Sequence, residues 1–441
     1  MTQLHHALLF LASLLLFCPP TWQQFHHPQR ISPIDLAALR DIKNSLTDLS
    51  SHAGTNFFST WDFSAPDPCS YFAGVTCSVE PRSVSGQRVT TLTLGTGLSD
   101  SPGLSGSLSP SISNLTELTQ LILFSGIVTG PIPSQLGSLK NLRVISLTKN
   151  RLTGAIPETL LTLPNLHTLD LSCNQLAGPV ADLSGLTQLR VLVLASNRLY
   201  GDLPELPAQL LHLDLKNNAL SGTLPNRMPL TLRYLSASMN SMWGPLNGLE
   251  SLSELVYLDL SMNRFSGTIP PSLFRPSLSS MLLQRNNLSG GVPPSLLPNP
   301  SSPPSISVSS YGSGSIVDLS HNFLTGDISS VLAGVETLFL NNNRLVGPVP
   351  EEYVNSVYSG STKTLYLQHN YITRFPLEPG SVLPESASVC LAYNCMVPRV
   401  GLTACPASVG GQLSRPLHQC SVFNNGSSIV VQCSGAHGPT R

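Results

Sequence analysis

A pattern of regularly spaced leucines that repeats along most of the chain constrains its fold more than any other feature. The pattern is LxxLxLxxNxLxGxIPxxLxxLxx, and its clearest copy covers Leu142–Pro157. Successive asparagines of the pattern lie mostly 21 to 24 residues apart, with two larger gaps of 27 and 36 residues. Because one repeat cannot bury its own apolar face, this spacing predicts a solenoid of stacked coils. The asparagines are Asn150, Asn174, Asn197, Asn218, Asn240, Asn263, Asn286, Asn322, Asn343 and Asn370.

The residue types of the pattern predict the shape of each coil. The LxL segment, such as Leu169-Asp170-Leu171, alternates its side chains between core and surface, as a short strand does. The asparagine can bond to backbone groups in the bend, because its side chain carries both donors and an acceptor. The glycine of GxIP permits backbone geometry that a Cβ would obstruct, and the proline, which lacks an N–H, suits a strand end.

This pattern resembles the plant-specific class of leucine-rich repeats, which occurs in receptor-kinase ectodomains, receptor-like proteins and polygalacturonase-inhibiting proteins. The resemblance covers roughly residues 89–396, and the flanking segments also fit. It implies an α/β solenoid: a right-handed superhelix with a concave parallel β-sheet, about 11 to 12 repeats and cysteine caps at both ends. It implies little about function, because this class binds very different partners on one scaffold.

The N-terminus has the features of an export signal. Residues 7–17 are apolar except for Ser13, and two prolines follow shortly after the run. The run is too short to span a bilayer and has the length of a signal-peptide core. We therefore assign residues 1–24 to a signal peptide, with cleavage between about Cys18 and Gln24. We expect a product secreted to the extracellular space or cell wall, because no later stretch has the length of a membrane span.

Residues 25–88 are expected to cap the N-terminal end of the solenoid. Ser32–Asp35 predicts the start of a helix with a serine N-cap, and apolar residues follow at near-helical spacing. The segment resembles the N-terminal cap of plant leucine-rich repeat proteins, although its cysteines have one more intervening residue than usual. Since the chain is predicted to be exported, we expect a Cys69–Cys77 disulfide.

Residues 397–441 are expected to form a C-terminal cysteine cap and a polar tail. Four cysteines near this end allow three pairings, and the sequence alone does not choose among them. Cys433, in the tail, could be free, paired within the cap or linked to a second chain. Cys173 lies far from both caps, and we interpret it as a reduced, buried thiol that fills a core site. The four cysteines of the cap are Cys390, Cys395, Cys405 and Cys420.

Two further features concern the surface of the predicted solenoid. A proline- and serine-rich insertion, about residues 297–313, breaks the repeat between Asn286 and Asn322. Its composition cannot build a core, so we expect a loop, and a tolerated surface insertion is a better interpretation than a ligand-binding one. Three sequons are candidate N-glycosylation sites on an exported chain. They are Asn114, Asn287 and Asn425.

Composition and motifs argue against several classes of function. A net charge of −1 does not fit nucleic-acid binding, which needs a basic surface. Four acids could suggest a glycosidase, but each is the middle residue of an LDL or VDL strand and has no acid–base partner. The histidines have no metal-binding spacing, and no phosphate loop or nucleophile motif is present. We therefore predict a non-catalytic protein without a cofactor or metal. The four acids are Asp170, Asp214, Asp259 and Asp318.

The outward side chains of the predicted strands form two aromatic clusters on the concave sheet. Tyr234 and Tyr257 lie in adjacent repeats, so their rings can stack about one strand spacing apart. Phe339 and Tyr366 are likewise neighbours. Aromatic residues and arginine form binding hot spots, but cross-strand aromatic pairs can also merely stabilise a sheet, and both interpretations stay open. The candidate partner-binding residues are His212, Lys216, Tyr234, Tyr257, Arg285, Phe339, Tyr366 and His369.

These features predict a secreted recognition protein that binds a protein or peptide through its concave face. By resemblance, the partner would be a peptide, a receptor-kinase ectodomain in plant signalling or defence, or a secreted hydrolase. One alternative is an inhibitor of cell-wall-degrading enzymes, similar to the polygalacturonase inhibitors; such inhibitors often have a charged, convergent patch, and the weak charge of this face counts mildly against it. The other alternative is a structural cell-wall protein.

Overall fold

The computed structural model describes residues 31–49, 56–64, 67–79, 86–97, 102–294, 311–377, 381–396, 405 and 413–420. The predicted signal peptide, most of the predicted insertion, and the tail with Asn425 and Cys433 lie outside these residues. Strands are numbered β1 to β27 and helices α1 to α4 in chain order within the described residues.

The LxL segments form one long sheet, which has 14 strands in the described part of the chain. Its strands are β2 (Val75–Val79), β3 (Gln87–Leu94), β5 (Gln120–Leu123), β7 (Val144–Ser146), β9 (Thr168–Asp170), β11 (Val191–Val193), β13 (His212–Asp214), β15 (Tyr234–Ser236), β17 (Tyr257–Asp259), β19 (Ser280–Leu282), β21 (Ile316–Asp318), β23 (Thr337–Phe339), β25 (Thr364–Tyr366) and β27 (Ser388–Cys390). β2 and β3 pair antiparallel, and every later neighbour pairs parallel. The predicted concave parallel sheet is therefore confirmed.

A second set of strands lies mainly on the LxGxIP segments, and the repeat pattern did not predict it. These strands form one sheet from β1 to β14 and another from β16 to β26. Each repeat glycine has a positive φ, between 74° and 115°, which a side chain would strain. The strands are β1 (Leu46–Asp48), β4 (Leu104–Ser107), β6 (Ile127–Pro131), β8 (Arg151–Gly154), β10 (Gln175–Pro179), β12 (Arg198–Asp202), β14 (Ala219–Ser221), β16 (Trp243–Gly244), β18 (Arg264–Gly267), β20 (Asn287–Gly290), β22 (Phe323–Asp327), β24 (Arg344–Pro348) and β26 (Tyr371–Arg374).

Short helical turns complete the coils on the side away from the concave sheet. Repeat prolines such as Pro133 and Pro157 stand directly before these turns. The coil between Asn343 and Asn370 is longer, and it holds an α-helix instead of a single turn. The 3₁₀ turns are Phe57–Thr60, Pro110–Asn114, Ser134–Ser138, Glu158–Thr162, Asn247–Leu249, Pro271–Leu273 and Ser330–Leu332, and the helices are α1 (Pro33–Ser45), α2 (Pro68–Tyr71), α3 (Glu351–Tyr358) and α4 (Leu417–Cys420).

The repeat asparagines bond neighbouring coils together through their side chains. Asn263 is typical: its Oδ1 accepts from the N–H of Met242 at 3.0 Å. Its Nδ2 donates to the carbonyls of Ala237 and Leu260 at 2.9 and 3.1 Å. The same pattern recurs from Asn150 to Asn394. The asparagines therefore satisfy backbone groups at each bend, as their donor and acceptor groups led us to expect.

The residue before each of these asparagines has a positive φ, between 53° and 59°, although none is a glycine. Cys173 is one of them and is exposed, so our interpretation of it as a buried core thiol was wrong. The left-handed bend directs its side chain outward while the adjacent Asn174 is buried. The residues are Lys149, Cys173, Ser196, Asn217, Met239, Met262, Arg285, His321, Asn342, His369 and Tyr393.

The N-terminal cap closes the first coil with a helix, a disulfide and a buried ion pair. Ser32 stands at the N-cap of α1, but its side chain makes no capping bond; its N–H donates instead to the carbonyl of Gln87 at 2.9 Å. The expected Cys69–Cys77 disulfide is present. Asp35 is fully buried and forms a salt bridge with Arg88 at 3.0 Å.

At the C-terminal end, the structure decides the cysteine pairing that the sequence left open. Cys390 bonds to Cys405, and Cys395 bonds to Cys420. Arg415 also attaches this segment to the last coils, because its Nε donates to the carbonyl of Asn370 at 3.0 Å. The apolar core is thus covered at both ends, which a stacked repeat requires.

Candidate functional site

The most distinctive feature of the concave face is a stack of three rings. His212, Tyr234 and Tyr257 occupy paired positions on β13, β15 and β17. The rings of His212 and Tyr234 lie 4.0 Å apart and 3° from parallel. The rings of Tyr234 and Tyr257 lie 4.4 Å apart and 4° from parallel. The two predicted tyrosines are therefore adjacent, and His212 extends their stack by one ring.

Partial burial keeps the groups of this stack uncharged near neutral pH. Burial raises the pKa of Tyr234 far above its ordinary value, and the carboxylate of Asp214 raises it further. Burial also raises the pKa of Tyr257, with a smaller contribution from Asp259. The pKa of His212 is lowered by burial, against the opposing effect of nearby carboxylates. The stack thus presents neutral ring edges and hydroxyl groups to a partner.

The four acids of the repeat have a structural role that we did not predict from the sequence. Oδ1 of Asp259 accepts both the N–H and the hydroxyl of Ser261, at 3.1 and 2.7 Å. Asp170 makes the same pair of bonds to Ser172, at 3.0 and 2.7 Å. For three of the four acids, a serine two residues later was the available sequence signal, since such residues often bond to the backbone of their own turn. These acids hold the bend that follows each strand.

The second predicted cluster forms a separate group near the C-terminal cap. The rings of Phe339 and Tyr366 lie 5.1 Å apart in an edge-to-face arrangement. His369 is in contact with the ring of Tyr393, at 5.1 Å between centroids. β19 and β21 separate this group from the ring stack. The structure therefore brings the predicted binding residues together as two groups and not as one site.

Basic side chains lie beside this second group, at the positions of positive φ that follow the strands. Arg285 and His321 occupy these positions, and Arg415 approaches them from the C-terminal cap. Burial lowers the pKa of His321, and Arg285 lowers it further. Burial and Arg415 together lower the pKa of His369. Lys216 is exposed and belongs to the first group, where its N–H donates to Asp214 at 3.0 Å.

Three buried acceptor atoms on the strand ends were not singled out from the sequence. Oε1 of Gln284, Oε1 of Gln368 and Oγ of Ser238 have no hydrogen-bond partner among the described residues. Buried polar groups are nearly always bonded in folded proteins, so such atoms favour sites where a donor from a partner can approach. All three lie at the same position after the strand, next to the predicted binding residues.

The remaining surface features lie away from the two aromatic groups. Asn114 and Asn287 are both exposed, one in a helical turn and the other on the second set of strands. A cleft of about 370 Å³ lies between two coils, and no predicted binding residue lines it. The cleft is lined by Thr223, Leu224, Pro225, Asn226, Pro245, Asn247 and Gly248. In the described ranges, no group of three potential metal-ligating acids, histidines or cysteines converges.

Acidification is expected to destabilise the fold through three histidines of the concave face. Their folded-state pKa values lie below the ordinary value, so the unfolded chain binds more protons as pH falls through about 6.5. The melting temperature should therefore fall between about pH 7.5 and pH 5.5. A variant with His212→Gln, His321→Asn and His369→Asn should show a shallower fall; an unchanged slope would contradict this assignment.

Comparison with known families agrees with this architecture. The leucine rich repeat N-terminal domain model matches residues 32–78. Models of the leucine rich repeat match residues 137–199 and 254–275. The chain is a leucine-rich repeat protein. Comparison of this leucine-rich repeat protein with curated protein sequences gave no match.

Similar solved structures include plant receptor ectodomains. One is the ectodomain of the receptor kinase GASSHO1/SCHENGEN3 from Arabidopsis thaliana in complex with CASPARIAN STRIP INTEGRITY FACTOR 2, with 29% identity, a TM-score of 0.62, and coverage of 81% of this chain and 44% of that chain. A second is the crystal structure of PEPR1-AtPEP1, with 26% identity, a TM-score of 0.54, and coverage of 82% of this chain and 55% of that chain. A third is the plant peptide hormone receptor RGFR1 in complex with RGF2, with 26% identity, a TM-score of 0.51, and coverage of 66% and 50%.

The leucine-rich repeat protein thus matches only about half of the length of these receptor chains, between 44% and 55%. Its fold is that of extracellular receptor ectodomains, which is typical of binding proteins without enzymatic activity. Across the described residues, none of the helices combines the length and apolar character needed to cross a bilayer.

Proposed function

We propose that this leucine-rich repeat protein is a secreted, non-catalytic recognition protein that binds a peptide or protein partner through its concave face. The observation that carries the proposal is the stack of His212, Tyr234 and Tyr257 at the centre of the sheet. Half-buried aromatic residues on an open sheet combine a large contact area with little loss of conformational freedom on binding. The second group, with Phe339 and Tyr366, extends the same surface toward the C-terminal cap.

The similar structures support a peptide or protein as the partner class. Two of the three structures above are complexes, and one of these is a complex of a plant peptide hormone receptor. We propose that the present protein acts at the cell surface or in the cell wall together with a receptor-kinase ectodomain. N-glycans on Asn114 and Asn287 would leave the concave face open, because both residues lie on other faces of the solenoid.

Replacing both stacked tyrosines should weaken partner binding more than it weakens the fold. Purified protein, immobilised and incubated with a cell-wall extract, should retain a partner that Tyr234→Ser with Tyr257→Ser does not retain. Truncation of a hot spot typically costs about 2 kcal/mol or more of binding free energy, roughly 30-fold in affinity. Loss of the stacked pair should cost only about 0.5–1.5 kcal/mol beyond the lost burial. The binding assay and the melting temperature therefore separate the two roles.

Tyr200→Ser is a matched control, because Tyr200 is 54% exposed and lies on β12, away from the concave sheet. It should leave partner capture unchanged. Unchanged capture by the double variant, with a lowered melting temperature, would show that the stack only stabilises the sheet. Capture of a hydrolase would favour the inhibitor alternative, and capture of polysaccharide alone would favour the structural one.

A further inference from the structure

The ring stack ends at a position where one more planar group would fit. Tyr257 pairs with Ser280 on β19, and Ser280 pairs with Ile316 on β21. Among the residues that the structure describes, no aromatic ring covers the face of Tyr257 that is turned away from Tyr234. Serine is too short to reach the level of the rings. A slot about two strand spacings wide, roughly 9–10 Å between its walls, therefore lies above Ser280.

The walls of this slot suit a single flat group. Tyr257 forms one wall, and the 38% exposed side chain of Ile316 forms the other. Rings in the existing stack are 4.0 and 4.4 Å apart, so one planar group can contact Tyr257 at the same spacing and still contact Ile316. A bulky branched side chain would not use the flat face of Tyr257 in this way.

Charge beside the slot is negative and comes from two carboxylates. Asp259 pairs with Leu282, and Leu282 pairs with Asp318, so one acid flanks each wall. Oδ1 of Asp259 accepts the N–H of Ser261, and Oδ1 of Asp318 accepts the N–H of Ser320. Within the described ranges, Oδ2 of neither acid receives a hydrogen bond, and neither acid forms a salt bridge.

Two further side chains, those of Gln284 and Arg285, follow β19 and affect which charge a bound group can carry. Burial raises the pKa of Asp318, against the opposing effects of its hydrogen bonds from Ser320 and of the nearby His321 and Arg285. Oε1 of Gln284 is buried without a partner, so it offers another acceptor on this strand. The two carboxylates and this acceptor favour a donor-rich cation over a neutral ring.

We propose that this slot binds an arginine side chain of the partner, stacked on Tyr257 and bonded to Asp259 and Asp318. A guanidinium group is flat, carries five N–H donors and no acceptor, and stacks on aromatic faces, whereas an ammonium group cannot do all three. This inference rests on the proposed function, because it names the chemistry of the group that the concave face recognises.

A small probe tests the slot without knowledge of the natural partner. N-acetyl-arginine amide should bind saturably in an NMR titration, more tightly by about tenfold than N-acetyl-lysine amide. Ser280→Tyr should continue the ring stack and fill the slot, weakening the arginine probe by about tenfold or more while the melting temperature stays unchanged or rises. Thr168→Tyr is the matched control, since Thr168 has the same position on β9, five strands away from Ser280. It should leave binding of the probe unchanged.

A second variant tests the charge. Asp318→Asn keeps the acceptor for Ser320 but removes the carboxylate, so it should weaken the arginine probe and not N-acetyl-phenylalanine amide. Tighter binding of the phenylalanine probe than of the arginine probe to the unmodified protein would overturn the assignment of a cation. Equal binding of the arginine probe to Ser280→Tyr would overturn the location.

Partner capture distinguishes failure of this inference from failure of the proposed function. If the unmodified protein and Ser280→Tyr retain the same partner equally well, the recognition function stands and the slot inference fails. If the unmodified protein retains no partner from any cell-wall extract, the recognition function fails, whatever the probe shows. The expected result is that Ser280→Tyr binds neither the arginine probe nor the partner, whereas the unmodified protein binds both.

Discussion

Replacing Asn263 by alanine is expected to lower the free energy of unfolding by about 3–5 kcal/mol, because several buried groups lose their partners together. The substitution leaves the N–H of Met242 and the carbonyls of Ala237 and Leu260 without the bonds that Asn263 provides. Each unsatisfied buried group costs about 1–3 kcal/mol. Denaturant unfolding, monitored by circular dichroism, measures the change.

Asn165→Ala is the matched control for this prediction. Asn165 is exposed and makes a single side-chain bond to the carbonyl of Lys140, at 2.9 Å. Its loss should cost no more than about 1 kcal/mol, the ordinary net value of one hydrogen bond. Similar losses in the two variants would show that the buried asparagines do not hold the coils together.

Arg88→Ala is expected to destabilise the N-terminal cap by about 3–5 kcal/mol, because it leaves a buried carboxylate without its counter-charge. The side chain of Asp35 has no exposed surface and accepts from Arg88 at 3.0 Å and from the N–H of Val89 at 2.8 Å. The cap covers the first coil, so the loss should also increase proteolysis near the N-terminus. Thermal unfolding and limited proteolysis at neutral pH measure the two effects.

An exposed ion pair on the same molecule provides the comparison. Arg233 and Glu254 approach to 3.5 Å, but their side chains are 66% and 56% exposed. Arg233→Ala should therefore change the free energy of unfolding by about 0–1 kcal/mol. If Arg88→Ala were equally mild, α1 would not depend on its buried ion pair for its position against the first coil.

Much of each coil could be predicted because its signals are local. In Leu169-Asp170-Leu171, both leucines are fully buried and the acid points outward, as the alternation of a strand requires. The adjacency of Tyr234 and Tyr257 also followed from the repeat, because equal positions in successive repeats become neighbours in the sheet. The parallel orientation of the rings could not be predicted from the repeat, because it depends on how the two tyrosine side chains and His212 pack against one another.

Features made by contacts between coils were harder to predict. The second set of strands is hidden in the sequence because segments of two to five residues, most of them around a glycine, resemble turns until a neighbouring coil supplies the partner strand. The exposure of Cys173 was missed for a related reason: its φ of 55° comes from the bend before Asn174, which must enter the core. The role of Asp259 in its own turn could have been read from its spacing to Ser261.

By itself, the sequence determined the solenoid, the position of the repeat strands in the concave sheet and the bonding role of the asparagines, because the repeat imposes the same local requirements on every coil. Only the tertiary structure decided the pairing of Cys390 with Cys405 and of Cys395 with Cys420, since pairing depends on distances in space and not on order along the chain. It alone also revealed the slot beside Tyr257, because an opening is defined by the side chains of three strands and not by any one of them.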